Sequence, residues 1–481
     1  MYLPIPPILF NSFKNNVAIK ISPYFFWTKA FNKVALRPFW WAWIMLVVFY
    51  VPFLRVWWWL VAPLLLSIEL RKLYLWWINW DYYYAKTKWY ILEIIPPKEV
   101  LVPLKAMEDV FSVLWATFYT SASWREQWCE GVIQPNPDWM SFEIASIEGQ
   151  LHFYARVMAS HRHTLESTLY SHYPELEVRE AADYTKNVPQ NVPNEEWDTY
   201  GEDYKTTKAS YLPIKTYESF FEPQGEKIAA EEKRIDPMAA LLELMSKLGP
   251  GEQYWMQFIF FPLMLDAEEE FNEKGKKAIA KLAGRPEKKH KSLSQEILDV
   301  FWNLVLGPKK EGSGEKATYK WIDSAKTEEN DRELLLTPGE RLVLTAVENK
   351  VKQPQFFCNI KGVYVAKREN FNSVHRVIIR SYFPHFGTTN LNDFLFSKVT
   401  RPKTQYVFRK RIPFLRRRRM FRNAVLRFTP LFPERTQEMA ILDPEEMATI
   451  FHFPIKVTGL VLPTMARVES KKSGPPPNLP T

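Results

Sequence analysis

The feature that most constrains this chain is an apolar run near its start. Pro38 to Ile68 is 31 residues long and carries one charge, Arg55. A helix of about 20 apolar residues spans the hydrocarbon core of a bilayer, so a run of this length is placed more readily in lipid than in a small aqueous core. Arg55 divides the run, and Pro52 and Pro63 kink any continuous helix through it. Two arrangements satisfy these limits: a single tilted span, and a short hairpin turning near Arg55. Lys14, Lys20, Lys29, Lys33 and Arg37 precede the run, and Arg71, Lys72, Lys86 and Lys88 follow it. Positive flanks mark the cytoplasmic side, which favours the hairpin. Trp57–Trp59, Trp76, Trp77, Trp80 and Tyr82–Tyr84 have the character of an interfacial belt. No small-residue cleavage site follows, so the run is not a signal peptide. The expected order is a basic cytoplasmic leader over 1–37 and a membrane segment over 38–94, with the bulk of the chain cytoplasmic.

Beyond the run the composition is that of a folded protein, 47% hydrophobic and 24% charged. The two cysteines, Cys129 and Cys358, cannot build a disulfide framework. One theme recurs three times: a helix opened by a proline, strand-like sequence, then a second helix. The openings are Pro103–Phe111, Asp236-Pro237, where Asp236 caps and Pro237 takes the first helical position, and Thr337-Pro338, where Thr337 and Glu340 have capping-box spacing. Strand-like stretches follow at 141–147 and 151–157, joined by Glu148-Gly149 as a hairpin, and at 253–261 and 356–366. Closing helices are expected over 161–173, 269–282 and 371–382, with a returning strand at 176–180. The fold class is therefore α+β, with about three helix–strand–helix units carrying mainly antiparallel sheets over 95–185, 236–283 and 337–454. Composition assigns 186–235 to a linker, 284–336 to a flexible charged insertion and 455–481 to a Pro-rich tail.

No catalytic constellation emerges. Gly307 and Gly312 have the spacing of a phosphate loop, but Ser313 stands where the lysine belongs. His161 and His163 are two residues apart and face away from each other on a helix. His161 and Glu166 only faintly resemble the His and acid of membrane acyltransferases, since the acid is Glu, and no G-x-S-x-G occurs. No catalytic residue, metal or cofactor is expected.

The strongest remaining signal is basic. Residues 401–427 carry 11 Lys or Arg and no Asp or Glu. Arg409, Lys410, Arg411, Arg416, Arg417, Arg418, Arg419, Arg422 and Arg427 alternate with Tyr406, Phe408, Phe414 and Phe421. Guanidinium groups bind phosphate bidentately and aromatic rings stack or anchor, so these residues are candidate polyanion contacts. Anionic lipid head groups, nucleic acid and an acidic protein surface all fit, and a solvated helix face is the plain alternative.

Short segments in order along the chain carry a resemblance. They are Glu93–Lys98, Lys105–Glu108, Ser141–Ile144, His152–Tyr154, Tyr173–Glu177, Asp183–Thr185, Pro213–Tyr217, Arg234–Glu243, Leu336–Glu340, Ala366–Phe371 and Phe451–Pro454. Through them the chain resembles an uncharacterised family of membrane-anchored proteins from ultra-small uncultured bacteria. In that family this region stands before or beside an ATPase like the conjugative coupling proteins of type IV secretion. In fused members a tail like Lys471–Pro480 leads into the ATPase, so the resemblance implies a motor on a separate chain, or none. It implies a non-enzymatic membrane anchor and assembly platform for a P-loop ATPase partner. The alternatives are a stand-alone membrane protein that binds nucleic acid and, less favoured, a membrane enzyme acting on lipid or glycan.

Overall fold

A computed structural model describes residues 46, 48–52, 56–59, 63, 87–97, 102–119, 138–220, 236–263, 265–283, 309–311, 318–320, 336–403, 409–427 and 439–454. The chain divides into two units, Met1–Tyr74 with Gly284–Glu333, and Leu75–Ala283 with Leu334–Thr481. In chain order the elements are β1 (Trp89–Ile95), α1 (Leu104–Phe118), β2 (Met140–Ile147), β3 (Gln150–Met158), α2 (Arg162–His172), β4 (Glu177–Ala181) and β5 (Trp197–Thr206). Next come α3 (Pro237–Ser246), β6 (Glu252–Pro262), α4 (Leu265–Leu282), β7 (Lys309–Glu311) and β8 (Thr318–Lys320). The series ends with α5 (Pro338–Lys352), β9 (Phe356–Lys367), α6 (Ile379–Tyr382), β10 (Phe394–Phe396), α7 (Arg411–Leu426), β11 (Ala440–Leu442) and α8 (Pro444–Ile450).

In the larger unit nine strands form one antiparallel sheet in the order β10-β5-β9-β6-β2-β3-β1-β4, with β11 on β9. β5 and β11 share one side of β9, which β5 pairs from Lys367 to Ile360 and β11 from Cys358 to Phe356. β6 is buried at every position, as a strand covered on both faces must be. One face carries Phe142, Phe153, Phe258, Phe260, Phe356 and Ile360. It packs against the apolar stripes of α1 and α3 and against α8. Phe111 of α1 meets Phe142 and Phe260 edge-on at 5.6 and 5.4 Å, and Phe451 stacks on Phe142 at 4.7 Å. Such ring pairs each contribute about 0.5–1.5 kcal/mol beyond area burial.

The local signals behave as read. Asp236 accepts from Met238 N–H at 2.8 Å, and Thr337 with Glu340 closes a capping box. At the β2–β3 turn Glu148 and Gly149 take φ of 53° and 85°, the left-handed values a tight hairpin turn requires.

Three expectations are corrected. The three segments do not build three separate sheets: β1–β4, β6 and β9 are neighbours in one. The supposed linker 186–235 contains β5, whose charged residues are buried by partners distant in sequence. The expected helix over 371–382 is reduced to one 3-10 turn, His375–Val377, and the single helical turn α6.

In the smaller unit β7 and β8 pair antiparallel. Leu46, Phe49, Tyr50 and Val56–Trp59 are exposed. Among the described residues no helix is long and apolar enough to cross a membrane. Most of the expected membrane segment, the leader and the tail lie outside the described residues. Trp89–Ile94, the last residues of that expected segment, belong to β1 of the large sheet.

Candidate functional site

The Arg-rich segment forms α7 on the second face of the sheet. Pro413 sits in its first turn, where a missing N–H costs nothing. Met420, Phe421 and Ala424 point inward among Tyr184, Trp255, Val363 and Val365, with Phe421 5.8 Å from Trp255. Close approach needs Gly201: a Cβ there would lie 2.5 Å from Met420 Cγ.

Beneath the C-terminal end of α7 runs a row of polar side chains at one level of the sheet. The register pairs Arg179 (β4) with Glu93 (β1), Glu93 with Tyr154 (β3), Tyr154 with Glu143 (β2), Glu143 with Gln257 (β6), Gln257 with Lys361 (β9), and Lys361 with Asp203 (β5). The row, with Arg156 of β3 beside it, receives the last carbonyls of the helix. Lys361 Nζ donates to Arg427 O at 2.7 Å and to Asn423 O at 3.3 Å, Gln257 Nε2 to Ala424 O at 3.1 Å, and Arg156 Nη1 to Leu426 O at 3.1 Å. Helix ends leave four carbonyls without intrahelical partners, and cations there oppose the negative end of the helix dipole.

Arg427 closes the arrangement. It takes φ of 65° at the helix end and has no exposed surface. Its guanidinium donates to Glu143 at 3.0 and 3.1 Å and to Asp183 at 2.8 and 2.9 Å. Tyr184 O–H and Ser141 O–H donate to Glu143 at 2.5 Å each. Burial pushes the Glu143 carboxyl up, but the Arg427 charge and these hydrogen bonds overcome it and hold the group below its ordinary value. Asp183 is lowered in the same way, burial opposing and Arg427 prevailing. Burial pushes the Lys361 ammonium down to about 8, partly offset by Asp203 and Glu143.

The nine basic candidates therefore separate. Arg427 is enclosed by carboxylates and is withdrawn as a polyanion contact. Arg417 is half-buried and paired with both oxygens of Asp198 at 2.9 and 2.7 Å, and Arg416 donates to Arg401 O at 2.8 Å. Arg419 is half-buried. Arg409, Lys410, Arg411, Arg418 and Arg422 are exposed, together with Phe414, Leu415 and Leu426. Positions 411, 415, 418, 422 and 426 lie on one stripe of the helix, three cationic and two apolar. Phe421 is buried, and Tyr406 and Phe408 lie outside the described residues.

Segments that carried the resemblance meet in pairs. Ser141–Ile144 and Asp183–Thr185 meet at Arg427. His152 contacts Glu93 at 2.7 Å. Tyr217 O–H donates to Glu108 at 2.7 Å. His452, fully buried, contacts Asp236 at 2.9 Å and Ala448 O at 3.0 Å. A further buried centre, unread in the sequence, joins Lys350 to Glu446 at 2.7 Å beside Asp443. Glu446 also accepts from the N–H groups of Ile214 and Asp443 at 2.7 and 3.0 Å. Glu252, bonded to Tyr364, lies 3.0 Å from His375. His161 contacts Asp138 at 2.8 Å while Glu166 pairs with Arg162, so those two side chains serve separate contacts. Among the described residues no group of three or more His, Cys, Asp or Glu is placed to hold a metal ion. Compared with known protein families and with curated proteins, the chain matches none.

Proposed function

We propose that this chain is a membrane-tethered, non-enzymatic assembly platform on which a separate P-loop ATPase docks, as the family resemblance implies. The observation that carries the reading is the division of labour around α7. Its C-terminal end is held by buried ion pairs on the sheet, while Arg411, Leu415, Arg418, Arg422 and Leu426 face outward as a stripe. Arginine beside exposed apolar side chains is the composition of protein interfaces. The paired segments support the same reading, because their polar groups hold strands and helices together.

The test is affinity purification of the full chain from its own membranes, beside an Arg411→Glu/Arg418→Glu/Arg422→Glu variant. The wild type is expected to recover a P-loop ATPase and the variant to lose it. Recovery of nucleic acid without an ATPase, released steeply by salt, would replace the reading with that of a nucleic-acid-binding protein.

A further inference from the structure

Away from α7, three guanidinium groups converge on one phenol ring. Arg376 lies over Tyr200 with its guanidinium carbon 5.1 Å from the ring centre. Arg380 Nη2 is 3.4 Å from the Tyr200 hydroxyl and Arg401 Nε is 3.3 Å from it. Arg380 and Arg401 also lie over Phe396 at 4.6 and 4.5 Å. The elements make this convergence: Arg376 and Arg380 are one turn apart before and within α6, Tyr200 is on β5, and Arg401 follows β10.

Among the described residues the only carboxylate paired with any of these arginines is Glu202. Arg380 Nε donates to it at 2.9 Å, and Arg401 Nε lies 3.2 Å away. Tyr200 O–H and Tyr204 O–H donate to it at 2.6 and 3.3 Å. Glu202 is buried, so its oxygens are fully engaged. Three guanidinium groups against one carboxylate leave a surplus of two positive charges. The Arg380 and Arg401 side chains remain 29% and 24% exposed, so the surplus reaches the surface. Arg376 Nε is buried without a hydrogen-bond partner. An unpaired buried donor is unfavourable, and an incoming acceptor relieves it.

We propose that Arg376, Arg380 and Arg401 form a binding site for a phosphate group, with Tyr200 and Glu202 holding the guanidinium groups in place. A phosphate monoester carries close to two negative charges and oxygens that match guanidinium forks. A single carboxylate ligand would leave the surplus half-neutralised. This site does not depend on the α7 reading.

The experiment is calorimetric titration of the purified full chain with inorganic phosphate at low salt. Saturable binding is expected, weakened about tenfold or more in an Arg376→Gln/Arg401→Gln variant, since hydrogen bonds to charged groups are worth about 1.5–3 kcal/mol. Arg376→Gln alone breaks none of the ion pairs described above and keeps the test open if the double variant does not fold. A Lys274→Gln control, an exposed cation on α4, should bind as the wild type does. Competition by phosphatidic acid vesicles would identify a lipid head group as the source, and its absence a free phosphate compound. No saturation at millimolar phosphate, or equal binding by Arg376→Gln and the wild type, overturns the proposal.

Discussion

Replacing Arg427 by Met tests the account of the polar row most directly. The change preserves length and removes the cation that Glu143 and Asp183 share. Taking one partner from a buried ion pair typically costs about 3–5 kcal/mol, because the other charge stays buried without compensation. In a unit of this size that is a fall in melting temperature on the order of 10 °C. The pH dependence sharpens the test. In the wild type both carboxyls sit below their ordinary values, so their contribution is present above the unfolded range and lost as pH falls through the folded value. Without Arg427, burial of Glu143 acts with less opposition and raises its pKa above the ordinary 4.5. The variant then binds more protons folded than unfolded, and its stability rises as pH falls toward that value. The gap between the two proteins should be widest near neutrality and narrow toward about pH 4.5. Chemical denaturation of the purified chains at several pH values measures it. Adding Glu143→Gln should restore at least about 1 kcal/mol, since coupled neighbours do not add. A loss under about 1 kcal/mol at neutral pH, or a gap independent of pH, would refute the reasoning.

Two further outcomes follow from the packing. Burial and the neighbouring Glu446 push the Asp443 carboxyl well up, so one ammonium, Lys350, faces one carboxylate. Asp443→Asn keeps the capping acceptor and should leave the melting temperature near the wild-type value, whereas Glu446→Gln strands Lys350 and should cost about 3 kcal/mol. Gly201→Val forces Met420 and α7 away from β5, and should lower stability by about 1–3 kcal/mol while raising amide exchange in α7 before that of β6.

The parts of the fold legible in the sequence were those with local causes. The caps at Asp236 and Thr337, the Glu148-Gly149 hairpin and the apolar strands β6 and β9 depend on neighbours a few residues away. β5 was missed because Asp198, Gly201, Glu202 and Asp203 break any apolar pattern. Their burial depends on Arg417, Met420, Arg380 and Lys361, supplied from far along the chain. The polar row escaped for the same reason. Ser141 and Glu143 alternate with apolar residues as a solvent-facing set would, and nothing local announces that Arg427, 284 residues away, covers them. Runs such as Arg416–Arg419 suggested a uniformly accessible patch, whereas helical periodicity turns Arg417 inward and leaves Arg418 outside.

The charged line under α7 also acts as a register pin. Neighbouring strands meet by backbone bonds that are nearly indifferent to sequence, and sliding one strand by a single residue turns its side chains over. Here such a slip would drive the carboxylate of β2 or the ammonium of β9 into the layer of phenylalanine rings opposite. Mispaired and strand-exchanged forms of this sheet therefore carry a penalty that an all-apolar version would lack.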